Sequence, residues 1–334
     1  MRIAVDAMGG DHAPARPVDG ALAAARHLGL GVDLVGRADL IRAEIQRHPD
    51  AGTLDVRVID APDVIEIAES PARALRRKPG ASIRVAAEHV AAGQAGALFS
   101  AGHTGATVLA AHAAFGMLAG ADRPALAPTV PTRLGSAVLL DAGATVECRA
   151  AHLLQFGCMG ALYARVGLGV ERPRVGLLSI GEEETKGNEL TREAHQLLKA
   201  SSLEFIGNVE ARGVFAGDAD VVVCDGFTGN VALKLSEGLV EMVEDLLSEE
   251  LQSTFSSQVG YLLSRRAFRR FRKRVDYSEF GGAPLLGVAG LCIVGHGRSS
   301  VKAVRNAVAM ASRMAENQMV ERLRVAMATF AVTS

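Results

Sequence analysis

Five times along this chain an apolar run ends in an acid, a serine or a glycine and passes directly into a loop of small and polar residues: Asp6 before "AMGGDHAP", Ser100 before "AGHTGA", Asp141 before "AGAT", Gly181 before "EEETKGNE" and Asp225 before "GFTGN". No other feature of the sequence restricts the fold as much. Runs of strand character ("RIAV", "VDLVG", "DVRVI", "GALFS", "SAVLLD", "RVGLLSIG", "LEFIGN" and "DVVVCDG") alternate with stretches of helical periodicity. That order predicts an α/β chain whose largely parallel sheet is covered by helices. In such sheets ligands bind outside the carboxyl ends of the strands, so the five loops are expected on one face around one cleft.

The composition of the loops suggests what the cleft takes. Glycine-rich turns from strand to helix present backbone N–H groups and the positive ends of helix dipoles, which suits an anion, phosphate first. The nucleotide signatures are missing: there is no GxxxxGK[ST], and no GxGxxG after a strand with an acid about twenty residues on. With 36 basic against 37 acidic side chains, no tryptophan and three tyrosines, the chain has neither the field nor the stacking platforms for nucleic acid. At 334 residues and 49% apolar it can bury a large core. Cys148, Cys158, Cys224 and Cys292 show no paired spacing, which predicts reduced core thiols in a cytoplasmic protein. Asp6 and Asp11 interrupt any apolar targeting segment, and the most hydrophobic window, "LFSAGHTGATVLAAHAAFGMLAGA", reads as strand, loop and buried helix instead of a membrane span.

Two loops carry the richest chemistry. In "SIGEEETKGNEL", Lys186 stands where a loop meets a helix beginning near Glu189, a place from which an ammonium reaches a phosphate. Equally, Glu182, Glu183 and Glu184 form a solvated face with which the lysine pairs. In "CDGFTGNVALKL", Asp225 ends a buried strand, and Thr228 or Asn230 begins a helix running to about Leu251. Those residues either cap the helix or stand among first-turn amides that face an oxyanion. The loop histidines His12, His103 and His296 read as hydrogen-bonding residues and not as general bases, and Ser299 or Ser300 as the cap of a late helix. No HExxH, compact His/Cys cluster or EF-hand spacing is present, so no metal is expected.

Taken in order, "DAMGGDHAP", "SAGHTGA", "LLDAGA", "SIGEEETKGNE", "VVVCDGFTGNVALK" and "EFGGAPLLGVAGLCIVGHG" resemble the phosphate acyltransferases of bacterial phospholipid synthesis, from about Met1 to near Met327. The resemblance implies a three-layer α/β/α sandwich with a mostly parallel sheet, akin to the isopropylmalate dehydrogenase and phosphotransacetylase folds. It implies one catalytic domain over residues 1–328 with a central cleft, a homodimer, and peripheral attachment to a membrane. The implied reaction moves a fatty acyl group from acyl-acyl-carrier protein to inorganic phosphate, giving an acyl-phosphate for phosphatidic acid and phospholipid synthesis. A glycerol-3-phosphate acyltransferase would consume that product. No cofactor is implied, since phosphopantetheine belongs to the carrier-protein substrate. Lys186 and Asn230 are implied as catalytic. Asp6, Gly9, Gly10, Asp11, Ser100, His103, Thr104, Gly105, Gly181, Glu182, Asp225, Gly226, Thr228 and Gly229 are implied to bind substrate. The chain departs from the family pattern at His103 and Thr145, where asparagine is usual; both keep a hydrogen-bonding side chain.

One segment stands apart in charge. Seven of the ten residues 265–274 are basic, and Val259, Leu262, Leu263, Ala267, Phe271 and Val275 recur at helical spacing. The 252–280 segment therefore predicts a basic amphipathic helix. Arg265, Arg266, Arg269, Arg270 and Lys273 would face anionic lipid or an acidic carrier protein, or the apolar stripe would serve a dimer. A phosphotransacetylase-like enzyme using acyl-CoA, a dehydrogenase on a related fold and a non-catalytic membrane scaffold are the alternative functions, and the converging polar loops weigh against the scaffold.

Overall fold

The computed structural model describes residues 1–275 and 280–333. The chain opens with β1 (Arg2–Asp6), α1 (Ala15–Leu28), β2 (Gly31–Gly36), α2 (Ala38–Ile45), β3 (Val56–Asp60), α3 (Pro71–Arg77) and α4 (Ser82–Ala91). It continues through β4 (Ala97–Ser100), α5 (Thr104–Phe115), β5 (Ala125–Leu126), β6 (Thr129–Pro131), β7 (Ser136–Leu140), α6 (Ala150–Gly167) and β8 (Arg174–Leu178). Then follow α7 (Glu189–Ala200), β9 (Glu204–Val209), α8 (Ala211–Ala216), β10 (Val221–Val223), α9 (Gly226–Ser253) and α10 (Phe255–Val275). The described chain closes with β11 (Ala283–Leu286), β12 (Cys292–Val294), α11 (Val301–Glu316) and α12 (Met319–Thr333).

The eight expected strand runs form β1 to β4 and β7 to β10, and they divide between two sheets. In the first the order is β3-β2-β1-β4-β12-β11-β5. It is parallel from β3 to β12 and antiparallel beyond, where β11 pairs with β12 and β5. In the second the order is β6-β7-β10-β8-β9, parallel except for the β6–β7 hairpin. Position in the sheet explains the sequence pattern. Central β1, β4 and β10 are apolar runs buried on both faces, whereas edge strand β9 alternates exposed and half-buried residues before its buried end.

Helices cover both faces. The main core joins the sheets: Ile3, Val5, Phe99 and Ile293 from the first and Val138, Leu140, Val175 and Val223 from the second share it with Phe156, Met159 and Tyr163 of α6 and Met310 and Met314 of α11. On the opposite face α4 and α5 pack Ile83, Ala87 and Val108 over the first sheet. The apolar window that holds β4 and α5 is thus a strand and a packed helix, and among the described residues no helix is long and apolar enough to cross a membrane. α9 begins inside the fold, with Gly226 and Gly229 buried, and then runs out with α10 packed along it. Residues 276–279 of the 252–280 segment, and the side chains of Lys273 and Val275, lie outside what the structure describes.

Candidate active site

A cavity of about 590 Å³ opens at the carboxyl ends of the strands, between the two sheets. From the first sheet it is lined by Asp11, by Gly102, His103 and Thr104 after β4, and by Gly295 to Ser299 after β12. From the second come Ala142 and Gly143 after β7, and Asn230, Leu233, Lys234, Glu237 and Val240 along α9. Leu126, Val130, Phe215 and Phe280 add an apolar wall, so the space has one greasy side and one polar side.

The strand-end acids hold up this site from behind. Asp6 is buried and accepts the Ser100 hydroxyl at 2.7 Å and the Met8 amide at 3.2 Å, fastening the β1 loop to the β4 loop. Burial raises its pKa, and these hydrogen bonds act against that. Gly9 fits because a Cβ there would lie 2.7 Å from the Gly102 amide nitrogen. Asp141 is fully buried and accepts the amides of Leu126 (2.7 Å), Gly143 (3.0 Å), Ala144 (3.0 Å) and Thr145 (2.6 Å). Burial pushes its carboxyl up to about 6 against the pull of those donors, so it is mostly ionised at neutral pH. Asp225 accepts the Thr228 amide at 2.9 Å and the Thr228 hydroxyl at 2.7 Å. Asp225, and neither Thr228 nor Asn230, is therefore the cap of α9, which starts one residue later than the strand-end acid and extends to Ser253.

These bonds change the electrostatic expectation. Amides that the glycine loops were expected to offer an anion are taken by the loops' own side chains: Gly102 by Ser100, Gly105 by His103, Gly143 to Thr145 by Asp141. Donors on the cavity wall come instead from side chains. The Asn230 amide makes no hydrogen bond among the described residues, and it sits against Gly143, whose φ of +125° turns that loop past it. The His103 Nδ1 accepts from Gly105 at 3.2 Å, capping α5 and leaving the proton on Nε2. Thr145, the other departure from the family pattern, gives its hydroxyl to the Pro124 carbonyl at 2.8 Å behind the wall.

Not every expected residue meets here. Asp11, His103, Thr104 and Asn230 line the cavity. Asp6, Gly9, Ser100, Gly105, Asp225, Gly226, Thr228 and Gly229 support it without lining it, and Gly10 packs on the Gly297 carbonyl. The "EEETKGNE" loop adds nothing to the cavity wall. Lys186, Gly181 and Glu182 do not line the cavity; Lys186 is exposed, with its stem against Gly181 and its amide bonded to the Glu183 carbonyl. Glu184 binds Lys199 and Gln196, and Asn188 caps α7. Ser179, whose hydroxyl is buried without a hydrogen-bond partner among the described residues, faces Gly187. Lys234, Glu237, Arg298 and the apolar residues Leu233, Val240 and Phe215 were not singled out from sequence. The spacing of Asn230 and Lys234, four residues apart on one helix, is the signal that pointed to the lysine. Of the loop histidines, His296 lines the cavity as His103 does, 3.8 Å from Glu237. Ser300 caps α11.

No activated thiol is present. All four cysteines are free, Cys148 half-buried and the others buried. Burial pushes Cys148 up to about 12 and holds Cys224, beside Asp141, well above the ordinary thiol range.

Residues 1–322 match the family described as fatty acid synthesis protein. A phosphate acyltransferase of Geobacter sp. (strain M21) is 52% identical over 315 residues, 94% of this chain and 89% of that protein. One from Geobacter sulfurreducens is 49% identical over 329 residues, 98% and 95% of the two chains. In fold the chain is similar to a phosphotransacetylase from Streptococcus pyogenes (TM-score 0.60, 16% identity, 96% of this chain and 94% of that one). It is also similar to the EutD phosphotransacetylase from Staphylococcus aureus (TM-score 0.56, 16% identity, 94% of each). With a family match over residues 1–322 and about half its residues shared with phosphate acyltransferases over nearly its whole length, the chain belongs to the fatty acid synthesis protein family.

Proposed function

We propose that this protein transfers a fatty acyl group from acyl-acyl-carrier protein to inorganic phosphate. The observation that carries the reading is a cavity whose apolar wall meets the unbonded amide of Asn230 in a chain half identical to phosphate acyltransferases. A phosphate oxygen attacks the thioester carbonyl, a P–O–C bond forms, and the C–S bond breaks. The proton of hydrogen phosphate ends on the departing thiolate of phosphopantetheine, so the reaction balances without an acyl-enzyme or an added cofactor. Asn230 donates to phosphate or to the oxyanion as it forms. Leu126, Val130, Leu233, Val240 and Phe215 offer the acyl chain an apolar surface. A catalytic Lys186 rests on the resemblance, since it does not line the cavity.

The remaining parts of the reading concern place and partners. The protein works in the cytoplasm at an anionic membrane surface, as a homodimer, and hands its acyl-phosphate to an acyltransferase that esterifies glycerol 3-phosphate. Exposed Leu235, Leu239, Met242 and Leu246 on α9 support a second copy there, and exposed Phe255, Leu262 and Leu263 beside Arg265, Arg266, Arg269 and Arg270 support lipid or carrier contact on α10. The test is acyl-phosphate formation from labelled phosphate with acyl-carrier-protein and acyl-CoA donors in parallel. Turnover on the carrier donor is expected; turnover only on acyl-CoA removes the carrier assignment, and none on either removes the reaction.

A further inference from the structure

We propose that Lys234 is the cation that holds the free phosphate nucleophile beside Asn230, an inference that rests on the acyl-transfer reading and names the group fixing its second substrate. Phosphate is multiply charged, and an anion entering a half-apolar cavity needs a compensating charge. The glycine loops supply little, because Ser100, His103 and Asp141 already occupy the amides of Gly102, Gly105 and Gly143 to Thr145. The cations near the cavity differ in what they are bound to. Arg298 is held by Glu241 at 2.9 Å, and Lys186 does not line the cavity. Lys234 lines the cavity, is exposed, and makes no ion pair among the described residues.

Its position on α9 adds geometry to charge. Asn230 and Lys234 are one helical turn apart, about 6 Å along the axis, and both line the cavity, so one tetrahedral anion can accept from the amide and the ammonium together. Two carboxylates share the cavity wall. Glu237, a turn further along, lies 3.8 Å from His296, and Asp11 belongs to the β1 loop across the cavity. Burial raises the Glu237 pKa and the Glu241 carboxylate adds to that, while His296, Arg298 and Lys234 work against it. An ammonium on a flexible stem stays hydrated until phosphate arrives and then meets it as a point charge.

The experiment is phosphate-saturation kinetics on wild type, Lys234→Ala, Lys234→Arg and Lys186→Ala, with circular dichroism to show that each is folded and calorimetric titration of inorganic phosphate alone. Loss of one charge-assisted hydrogen bond is expected to raise the phosphate KM of Lys234→Ala at least about tenfold. The donor KM stays near wild type, and Lys234→Arg recovers most of the loss. An unchanged phosphate KM in Lys234→Ala overturns the proposal. So does a rise in donor KM alone, which would assign the lysine to the donor's own phosphate, or a rise in phosphate KM confined to Lys186→Ala. If wild type forms no acyl-phosphate, the acyl-transfer reading fails, and calorimetry decides the site by itself: phosphate binding lost in Lys234→Ala supports it, and equal binding overturns it.

Discussion

Asn230 occupies the fifth position of α9, past the Asp225 cap, so its amide is spared from holding the helix together. Removing a positioned donor of this kind costs roughly 10²–10³ in rate when the donor meets charge that develops in the transition state. Asn230→Ala is therefore expected to lose acyl-phosphate turnover by that factor while its melting temperature stays within about 2 °C of wild type. Rate assays alongside thermal melts check it; equal loss in both would make Asn230 a structural residue. Asp141 behaves in the opposite way, as a buried support. Its carboxyl titrates at about 6 in the fold against an ordinary value of 3.8, so between those values the folded state binds more protons than the unfolded one. The stability it contributes is present below about pH 4 and is lost as pH rises through about 6. Urea unfolding of wild type and Asp141→Asn should show the wild-type advantage shrinking from pH 4 to pH 6.5 and level above that; an advantage that grows with pH contradicts the assignment.

At the scale of elements, the start of α9 is wedged against the β7 loop. A Cβ on Gly226 would meet the Thr145 carbonyl, and one on Gly229 would collide with the Asp141 carbonyl oxygen and the Cys224 sulfur. Neither a backbone carbonyl nor a buried thiol can step aside, unlike the end of a flexible side chain. Gly229→Ala is expected to destabilise the fold by at least about 3 kcal/mol, the upper part of the overpacking range. It should also reduce activity beyond the unfolded fraction, because the same wedge sets where Asn230 and Lys234 stand. Denaturant unfolding measures the first and the specific activity of folded protein the second; a shift under about 0.5 kcal/mol, typical of open surface sites, would mean the helix start has room.

For the whole molecule, α9 and α10 separate the chemistry from its location. The aromatic contact between Tyr261 and Phe268, with centroids 5.3 Å apart, lies where α10 packs on α9, while Leu262 and Leu263 are 66% and 83% exposed. The apolar stripe expected from Val259 to Phe271 is thus split: Phe271 shares the groove with Phe268, and Val259, Leu262 and Leu263 remain available to another surface. Leu262→Ser with Leu263→Ser is expected to weaken co-sedimentation with anionic vesicles by about a hundredfold or more, roughly the transfer energy of two leucines. Salt should weaken wild-type binding as well, since screening shortens charge reach to about 8 Å at physiological ionic strength. Turnover in solution and the mass from light scattering should stay as in wild type. Unchanged vesicle binding removes these leucines from the lipid contact, and a halved mass assigns them to the dimer.

Local chemistry was enough to fix the parts. Short apolar or alternating runs between stretches of helical period mark β1 to β4 and β7 to β10, because the pleat and the helical turn impose their own patterns on what can be buried. An acid or serine before a glycine loop marks a strand end, because Asp6, Ser100, Asp141 and Asp225 satisfy amides only a few residues away. What the sequence left open depends on contacts between distant residues. β5 and β12 are two and three residues long and pair with β11 and β4, each more than 150 residues away, so the division into two sheets has no local signature. That division decides which loops meet. It leaves the "EEETKGNE" loop of β8 out of the cavity wall, brings the "GHGR" loop of β12 into it, and lays α9 along it so that Lys234 lines it one turn from Asn230. Short-range hydrogen bonds and burial periodicity are written residue by residue; the meeting of two sheets is a property of the packed core they share, and only the folded chain contains it.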